Sequence, residues 1–583
     1  MKYSSIPLAQ AIVCHCKAKG IENIVISPGS RNAPLTIGFT EDPFFKCFSI
    51  VDERSAAFFA LGIAQQLRQP VAVVCTSGSA LLNYYPAIAE AFYSDIPLVV
   101  ISADRPSYKI DVGDGQTIRQ DDVFHRHIGY SANLKQDVVH ATDRIYRYAR
   151  ESIYAGGVEE TQQSIQAHND AELNRSLNTA LNTGLPIHIN APFEEPLYDV
   201  VDERNGMFEI ANAESDPIDL TDIDRYTDLW NKAERKMVLV GVNHPNAIEQ
   251  RFLDFLGNDP SVVVLTESTS NLHHPNFFPS IDSIVAPIEK SPRKEALFNK
   301  LRPDILLTFG GLIVSKKIKA FLRAYRPKEH WHVDELKAYD TFFSLTRHFK
   351  LAPNRFFRTF FEQSKTKAST YFPYWNSIRD DYRKRREVYL KQIPFSDMLA
   401  FYHICNHIPS AYQVQLANSS TVRYMQLFDL DTSVKVFCNR GTSGIDGSTS
   451  TAVGASRYHK NPTLLITGDL SFLYDSNGLW NEYIRSDFKI ILINNGGGGI
   501  FRILPGKDDS ENFERYFETT QNYDVSHLCK MYGFTHLVAK SEKEVLSFLP
   551  GFFQQKTGPS LLEVITPRIL NDKILLGYFD FIS

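Results

Sequence analysis

Asp469 and Asn495 bracket the stretch with the clearest chemical content in this 583-residue chain. Residues 464–467 are an apolar run that reads as a buried strand, and Gly468-Asp469 ends it. Residues 471–485 have the spacing of a helix, with Leu473, Leu479 and Trp480 on its inner face. A second apolar run at 490–493 is followed by Asn494-Asn495 and four glycines, residues 496–499. A strand–helix–strand unit of this kind sets Asp469 and Asn495 side by side at the carboxyl ends of two parallel strands, where open α/β sheets bind ligands. A carboxylate, an amide oxygen and a backbone carbonyl turned inward by glycine are the hard donors that a magnesium ion takes, with phosphate oxygens completing its octahedron. The arrangement predicts a site for a divalent cation and a diphosphate. An ordinary crossover with a Gly-rich turn is the plainer alternative.

Similar positioning elements recur along the chain. Residues 6–18 have helical spacing, 24–27 read as a strand, and the turn Ser27-Pro28-Gly29-Ser30-Arg31 opens a helix. Residues 48–51 form the next strand, and a helix starts at Asp52-Glu53-Arg54. Further strands fall at 71–75, 98–102 and 186–189, while 151–185 are polar with helical spacing only toward the end. A second block has strands at 237–241, 262–266, 305–309 and 331–333. The turn after its first strand, Gly241-Val242-Asn243-His244-Pro245, lacks the Gly-x-Gly-x-x-Gly of dinucleotide sites, which argues against FAD or NAD. A third block has a helix at 395–407, strands at 412–416 and 434–438, and then the pair around Asp469. Strands alternating with helices make the expected fold class α/β, with three domains, each built on a central, mostly parallel sheet, over 1–198, 223–365 and 385–583. Residues 199–222 read as a linker, and the charged, helical residues 366–390 as a solvated connector.

Composition sets the broad class. Hydrophobic residues at 43% and charged residues at 22% describe a soluble globular protein. A net charge of −5 argues against a general nucleic-acid partner. Seven cysteines without CxxC pairs read as reduced thiols of a cytoplasmic protein. No apolar run approaches the roughly 18 residues of a membrane span, and the N-terminus lacks a basic segment followed by an apolar core. Neither stable membrane insertion nor a signal peptide is therefore expected.

Single residues are more ambiguous. Glu53 stands at a strand-to-helix junction, where the helix dipole alone favours an acid. Arg31, Arg105, Arg423 and Arg440 lie at strand ends, and a guanidinium fork suits carboxylates; each alone is equally a surface charge. Lys316 follows the Gly310-Gly311 turn, but with Lys317 and Lys319 it equally forms a solvated basic face. Ser419 and Ser443 read as ligand contacts or helix caps, and Ile500, Phe501 and Leu504 as cavity wall or core. His273-His274, before Pro275, reads as part of a turn.

The opening Gly468-Asp469 and closing Asn494-Asn495 resemble the motif of the thiamin-diphosphate (ThDP) enzymes, although Leu470 stands where most of that superfamily has a second glycine. Within it, SPGSR, DER, ADRP, Gln116, ANSSTVR, NRG-SGIDG, GDLS and NNGGGGIF, in this order along the whole chain, resemble one family. Its members make 2-succinyl-5-enolpyruvyl-6-hydroxy-3-cyclohexene-1-carboxylate (SEPHCHC) in menaquinone synthesis. The resemblance implies a ThDP-binding fold with pyrimidine, middle and diphosphate domains, and ThDP with Mg2+ or Mn2+ as cofactors. It implies Glu53 as the catalytic residue that hydrogen-bonds the aminopyrimidine and promotes its imino tautomer. Ile445 would wedge under the cofactor and bend it into a V, bringing the imino nitrogen near the reacting carbon. Ser419, Ser443, Asp469, Leu470, Ser471, Asn495 and Ile500 would also touch the cofactor, and Asp469, Asn495 and Gly497 the metal. Ser30, Arg31, Arg105, Gln116, Lys316, Arg423, Arg440, Ile500, Phe501 and Leu504 would line the substrate cavity.

The activity so implied is a carboligase (transferase) reaction: decarboxylation of 2-oxoglutarate and 1,4-addition of the resulting succinic-semialdehyde carbanion to isochorismate. It also implies a homodimer or homotetramer with the active site between subunits. Another ThDP-dependent 2-oxoacid decarboxylase or carboligase is the nearest alternative, and a non-catalytic protein on a decayed fold a more distant one.

Overall fold

The computed structural model describes residues 2–204, 208–212, 222–503 and 510–583. Its α/β architecture rests on three sheets whose strand pairs are all parallel. The first runs in the order Lys46–Ser49, Asn23–Ile26, Val71–Cys75, Leu98–Asp104, Ile187–Pro192, Tyr130–Asn133. The last runs Lys435–Cys438, Gln413–Leu416, Thr463–Gly468, Lys489–Asn494, Ser560–Ile565, Thr535–Ala539. Counted along the chain, both follow one order: second, first, third, fourth, sixth, fifth strand. The middle sheet is Val262–Leu265, Lys236–Val240, Ile305–Phe309, Glu329–Val333, Arg347–Phe349. Val71–Cys75, Lys236–Val240 and Ile305–Phe309 are buried at every residue, as crossover helices on both faces of a parallel sheet require. This is why these strands are legible as mostly apolar runs, with Lys236 and Thr308 the exceptions.

The chain divides into two compact units: Met1–Ser215 with Gly441–Lys460 and Tyr474–Arg485, and Asp216–Arg440 with Asn461–Leu473 and Ser486–Ser583. In the first unit, helix Glu53–Leu67 packs on helix Ser448–Ser456 at backbone distance. A Cβ on Gly62 would stand 2.1 Å from the Thr451 carbonyl oxygen, and one on Gly454 2.0 Å from that of Phe59. Both positions therefore demand glycine. In the second unit, helix Tyr371–Leu390 carries a buried stripe of Tyr371, Trp375, Arg379, Tyr382, Arg386 and Leu390.

Two expectations change here. Residues 366–390 contain a core helix rather than a solvated connector. Arg379 donates to the carbonyls of Pro275 and Phe277, both at 3.0 Å, and Arg386 to that of Leu427 at 2.5 Å, so charged residues sit in the buried stripe anchored on backbone carbonyls, with each Nε left without a hydrogen-bond partner among the described residues. Residues 471–485 are not one helix. A short helix, Asp469–Tyr474, gives way to the 3₁₀ turn Ser476–Leu479, and Trp480 is 50% exposed. The break is tertiary in origin: Asp475 accepts from Ser450 N at 2.7 Å and Ser450 Oγ at 2.8 Å, and Gly478 lies against Ser450 where a Cβ would not fit. The polar residues 151–185 contain a single long helix, Gly157–Thr183.

Candidate active site

Apart from Lys316, which follows a strand of the middle sheet, the sequence-predicted residues lie in the segments that follow strands of the first and last sheets, and the two units hold separate sets. In the first unit Glu53 is the first residue of helix Glu53–Leu67, just beyond strand Lys46–Ser49. Asp52 caps that helix by accepting from Ser55 N at 3.1 Å and also takes Asn477 Nδ2 at 2.8 Å, so the start of the helix is held from two sides. Glu53 is half-buried. It faces Tyr84 and Cys75, whose phenol and thiol burial pushes up, with the Glu53 charge adding to the rise.

Arg31 is buried, and its guanidinium donates to Phe193 O and to Glu195 Oε1, both at 3.0 Å. Arg105 donates to the Gln116 carbonyl at 2.9 Å and to Ser77 Oγ. The structure thus brings Arg105 and Gln116 into direct contact and sets Arg31 near enough to depress Arg105, after burial the largest influence on it. Gln116 adopts φ 55° in an exposed turn, and Ser30 is exposed. Ser443 and Ile445 also belong to this unit, on the loop before helix Ser448–Ser456. Glu90 fixes the start of that loop, accepting from the backbone N–H groups of Gly441 and Thr442 at 2.7 Å each.

The second unit gathers Asp469, Asn495, Gly497, Ser419, Arg423, Arg440 and Ile500. Asp469 is 4% exposed, and burial pushes its carboxyl up to about 6 against the pull of nearby donors. Its Oδ1 accepts from Leu470 N at 2.8 Å, whereas its Oδ2 is buried with no hydrogen-bond partner among the described residues. A buried carboxylate oxygen left so is costly unless a cation completes it. Ser471, two residues on, is buried.

Gly497 has φ 146°, and a Cβ there would stand 2.7 Å from the Glu518 carbonyl oxygen, so only glycine keeps this backbone. Gly498 N donates to that same carbonyl at 2.6 Å. Among the described residues there is no group of three or more His, Cys, Asp or Glu fit to hold a metal. One carboxylate, the Asn495 amide and a backbone carbonyl suit a hard cation that takes its remaining oxygens from phosphate. The residues present therefore fit a magnesium diphosphate group.

Ser419 has φ 69° and sits just before helix Ser420–Met425. Arg423 and Ile500 line one small pocket with Asp397, Ser420 and Arg502. Phe501 is half-buried on the same 3₁₀ turn, and Leu504 lies outside the described residues. Arg440 donates to Asn418 Oδ1 at 2.5 Å. Burial, and then the Arg440 charge, depress Arg423.

Lys316 is exposed at the start of helix Lys316–Ala324. Lys319, one turn further, is half-buried and faces Glu267 and Arg440. Glu267 accepts from Val314 N at 2.8 Å and Ser315 N at 2.7 Å, yet burial pushes its carboxyl up to about 7. Glu267 and Asp397 escaped sequence reasoning, and Lys319, read there as part of a solvated basic face, is half-buried. A helix-starting acid such as Asp397 carries no signal of its own, because its partners lie 98 and 169 residues away.

Residues 6–126 match the thiamine pyrophosphate enzyme, N-terminal TPP binding domain. A benzoylformate decarboxylase from Polynucleobacter necessarius shares the fold with a TM-score of 0.67 at 13% identity, over 97% of this chain and 99% of that one. The matched segment is a domain of thiamine pyrophosphate enzymes, and the fold is shared over nearly the whole chain. The chain is 54% identical to the 2-succinyl-5-enolpyruvyl-6-hydroxy-3-cyclohexene-1-carboxylate synthase of Christiangramia forsetii over 100% of both chains. It is 52% identical to that of Flavobacterium psychrophilum over 99% of both, and 37% identical to that of Porphyromonas gingivalis over 97% of this chain and 95% of the relative. It belongs to the SEPHCHC synthase family.

Proposed function

We propose that the protein decarboxylates 2-oxoglutarate and adds the four-carbon remainder in 1,4 fashion to isochorismate, giving SEPHCHC for menaquinone biosynthesis, with ThDP and Mg2+ (or Mn2+) bound. The observation that carries this reading is the end-to-end identity with relatives that bear that name. ThDP, when bound, supplies the carbon nucleophile and the sink for the electrons released with carbon dioxide. The chain's residues do the rest. Glu53 holds and returns a proton at the pyrimidine ring. Asp469, Asn495 and the Gly497 carbonyl hold the cation, with Ser419, Ser443, Leu470 and Ser471 around the cofactor and Ile445 beneath it.

Both substrates carry carboxylates, which accounts for the choice of Arg31, Arg105, Arg423 and Arg440 beside Ser30 and Gln116. A desolvated guanidinium–carboxylate hydrogen bond contributes about 1.5–3 kcal/mol. Ile500 and Phe501 exclude water, and Lys316 stands at the entrance. We assign residues 1–198 to the pyrimidine, 223–365 to the middle and 385–583 to the diphosphate domain. The first surface of one subunit faces the last of another in a cytoplasmic homodimer or homotetramer. No helix among the described residues is long and apolar enough to cross a membrane. The test is product formation from 2-oxoglutarate and isochorismate with ThDP and Mg2+. SEPHCHC should form with one carbon dioxide released per turnover, and equal or better turnover of pyruvate would overturn the substrate assignment.

A further inference from the structure

We propose that Asp397 is the positioning residue that decides which atom of the Asn495 amide faces the metal. This rests on Asp469 and Asn495 being the metal's protein side chains. The oxygen and nitrogen of an amide have almost the same shape, so its hydrogen-bond partners alone choose between the two orientations. An ionised carboxylate only accepts. Asp397 Oδ2 accepts from Asn495 Nδ2 at 3.0 Å, which turns Asn495 Oδ1 away from Asp397. The reversed amide would set two acceptors against each other and present an NH2 group that a hard cation does not bind.

Asp397 is itself fixed on every side. It opens helix Asp397–His407 and is 2% exposed. Its Oδ1 accepts from Thr566 Oγ1 at 2.5 Å, and its own N–H donates to Asn571 Oδ1 at 2.8 Å. Thr566 N in turn donates to the Asn494 carbonyl at 3.1 Å. One carboxylate thus locks the ends of strands Lys489–Asn494 and Ser560–Ile565 to a helix start, with Asn495 held in a single orientation. Partners that fix a ligand's orientation in this way typically change metal affinity by about 10- to 100-fold when removed.

The test is a calorimetric titration of Mg2+ into the full-length protein saturated with ThDP, with the melting temperature of each apo variant recorded alongside. Asp397→Ala should weaken Mg2+ by about 10- to 100-fold. Asp397→Ser, which keeps a good helix-starting residue but is too short to reach Asn495, should lose as much. Asp397→Asn retains an oxygen that can accept the same bond and should stay within about threefold of the parent. The decisive arm is Asn495→Asp, because a carboxylate presents oxygen whichever way it turns. In that background Asp397→Ala should cause no further loss, a non-additive cycle that a merely structural role would not give. Additive losses, or parent-like affinity in both Asp397→Ala and Asp397→Ser, would overturn the assignment alone. A parent that binds ThDP with no dependence on Mg2+ would overturn the metal site, and this assignment with it.

Discussion

Glu90 Oε2 accepts both the backbone N–H of Thr442, at 2.7 Å, and its Oγ1, at 3.0 Å, across 352 residues of sequence. With Gly441 N on the other oxygen at 2.7 Å, one carboxylate on helix Tyr85–Ser94 organises the start of the loop that carries Ser443 and Ile445. Glu90 is 1% exposed, so no water stands ready to replace it. Glu90→Ala leaves the Gly441 and Thr442 N–H groups without their charged partner, and losing hydrogen bonds of this kind costs about 1.5–3 kcal/mol. Urea unfolding should show a loss in that range. Titration should show weaker ThDP binding, because the loop loses its anchor.

Asp469, the proposed metal ligand, offers a test that needs no turnover. Its carboxyl is raised from 3.8 to about 6 by burial. Its stabilising contribution in the apo protein is therefore fully present below pH 3.8 and lost as the pH rises through about 6. Asp469→Asn removes this dependence. At pH 8 the apo variant should be more stable than the apo parent by on the order of 2 kcal/mol, and the two should converge near pH 4. Adding Mg2+ and ThDP should raise the melting temperature of the parent and leave that of the variant unchanged.

Glu194 behaves in the opposite sense. Burial alone would raise its carboxyl, but Lys109 at 2.8 Å, Tyr108 and Arg144 at 2.7 Å hold it down at about 2. A depressed acid stabilises above its unfolded value of 4.5, and this is lost as the pH falls from there toward about 2. Glu194→Gln should cost on the order of 2 kcal/mol at pH 7. That difference should shrink across the same acid window in denaturant melts run at stepped pH.

How much of this was visible in the sequence depended on where each element sits. Buried parallel strands such as Val71–Cys75 and Ile305–Phe309 announce themselves, because both faces are covered and, Thr308 apart, their residues are apolar. The edge strands Tyr130–Asn133 and Arg347–Phe349 do not, since one side lies open and polar residues are tolerated. Helix Tyr371–Leu390 was legible as a helix but not as core: Arg379 and Arg386 fill positions of the buried stripe, and guanidinium groups anchored on remote backbone carbonyls read from sequence as solvated charge. Within the site, Asp469 and Asn495 stood out because they end apolar runs next to glycines. Asp397, Glu90 and Glu267 act through partners remote in sequence. No local spacing encodes those contacts.

Substitution at the close helix crossing separates backbone packing from chemistry. Gly454→Val places side-chain atoms where the Phe59 carbonyl stands 2.0 Å from an ideal Cβ. The helices must part, and overpacking of this kind costs about 1–3 kcal/mol. The variant should melt lower and bind ThDP more weakly. Gly551→Ala, whose added Cβ meets nothing within 4 Å, should do neither.

The central claim is that one active site takes Glu53 from one subunit and Asp469 from another. The most direct test combines two inactive proteins, Glu53→Gln and Asp469→Asn, with different affinity tags, and isolates the mixed dimer. If the site is shared, the mixed dimer has one site in which both residues are native, and it should form SEPHCHC at about half the parent's rate per dimer. If Glu53 and Asp469 serve a site within one chain, every site in the mixed dimer is defective. A mixed dimer with no more activity than either inactive parent would contradict the account.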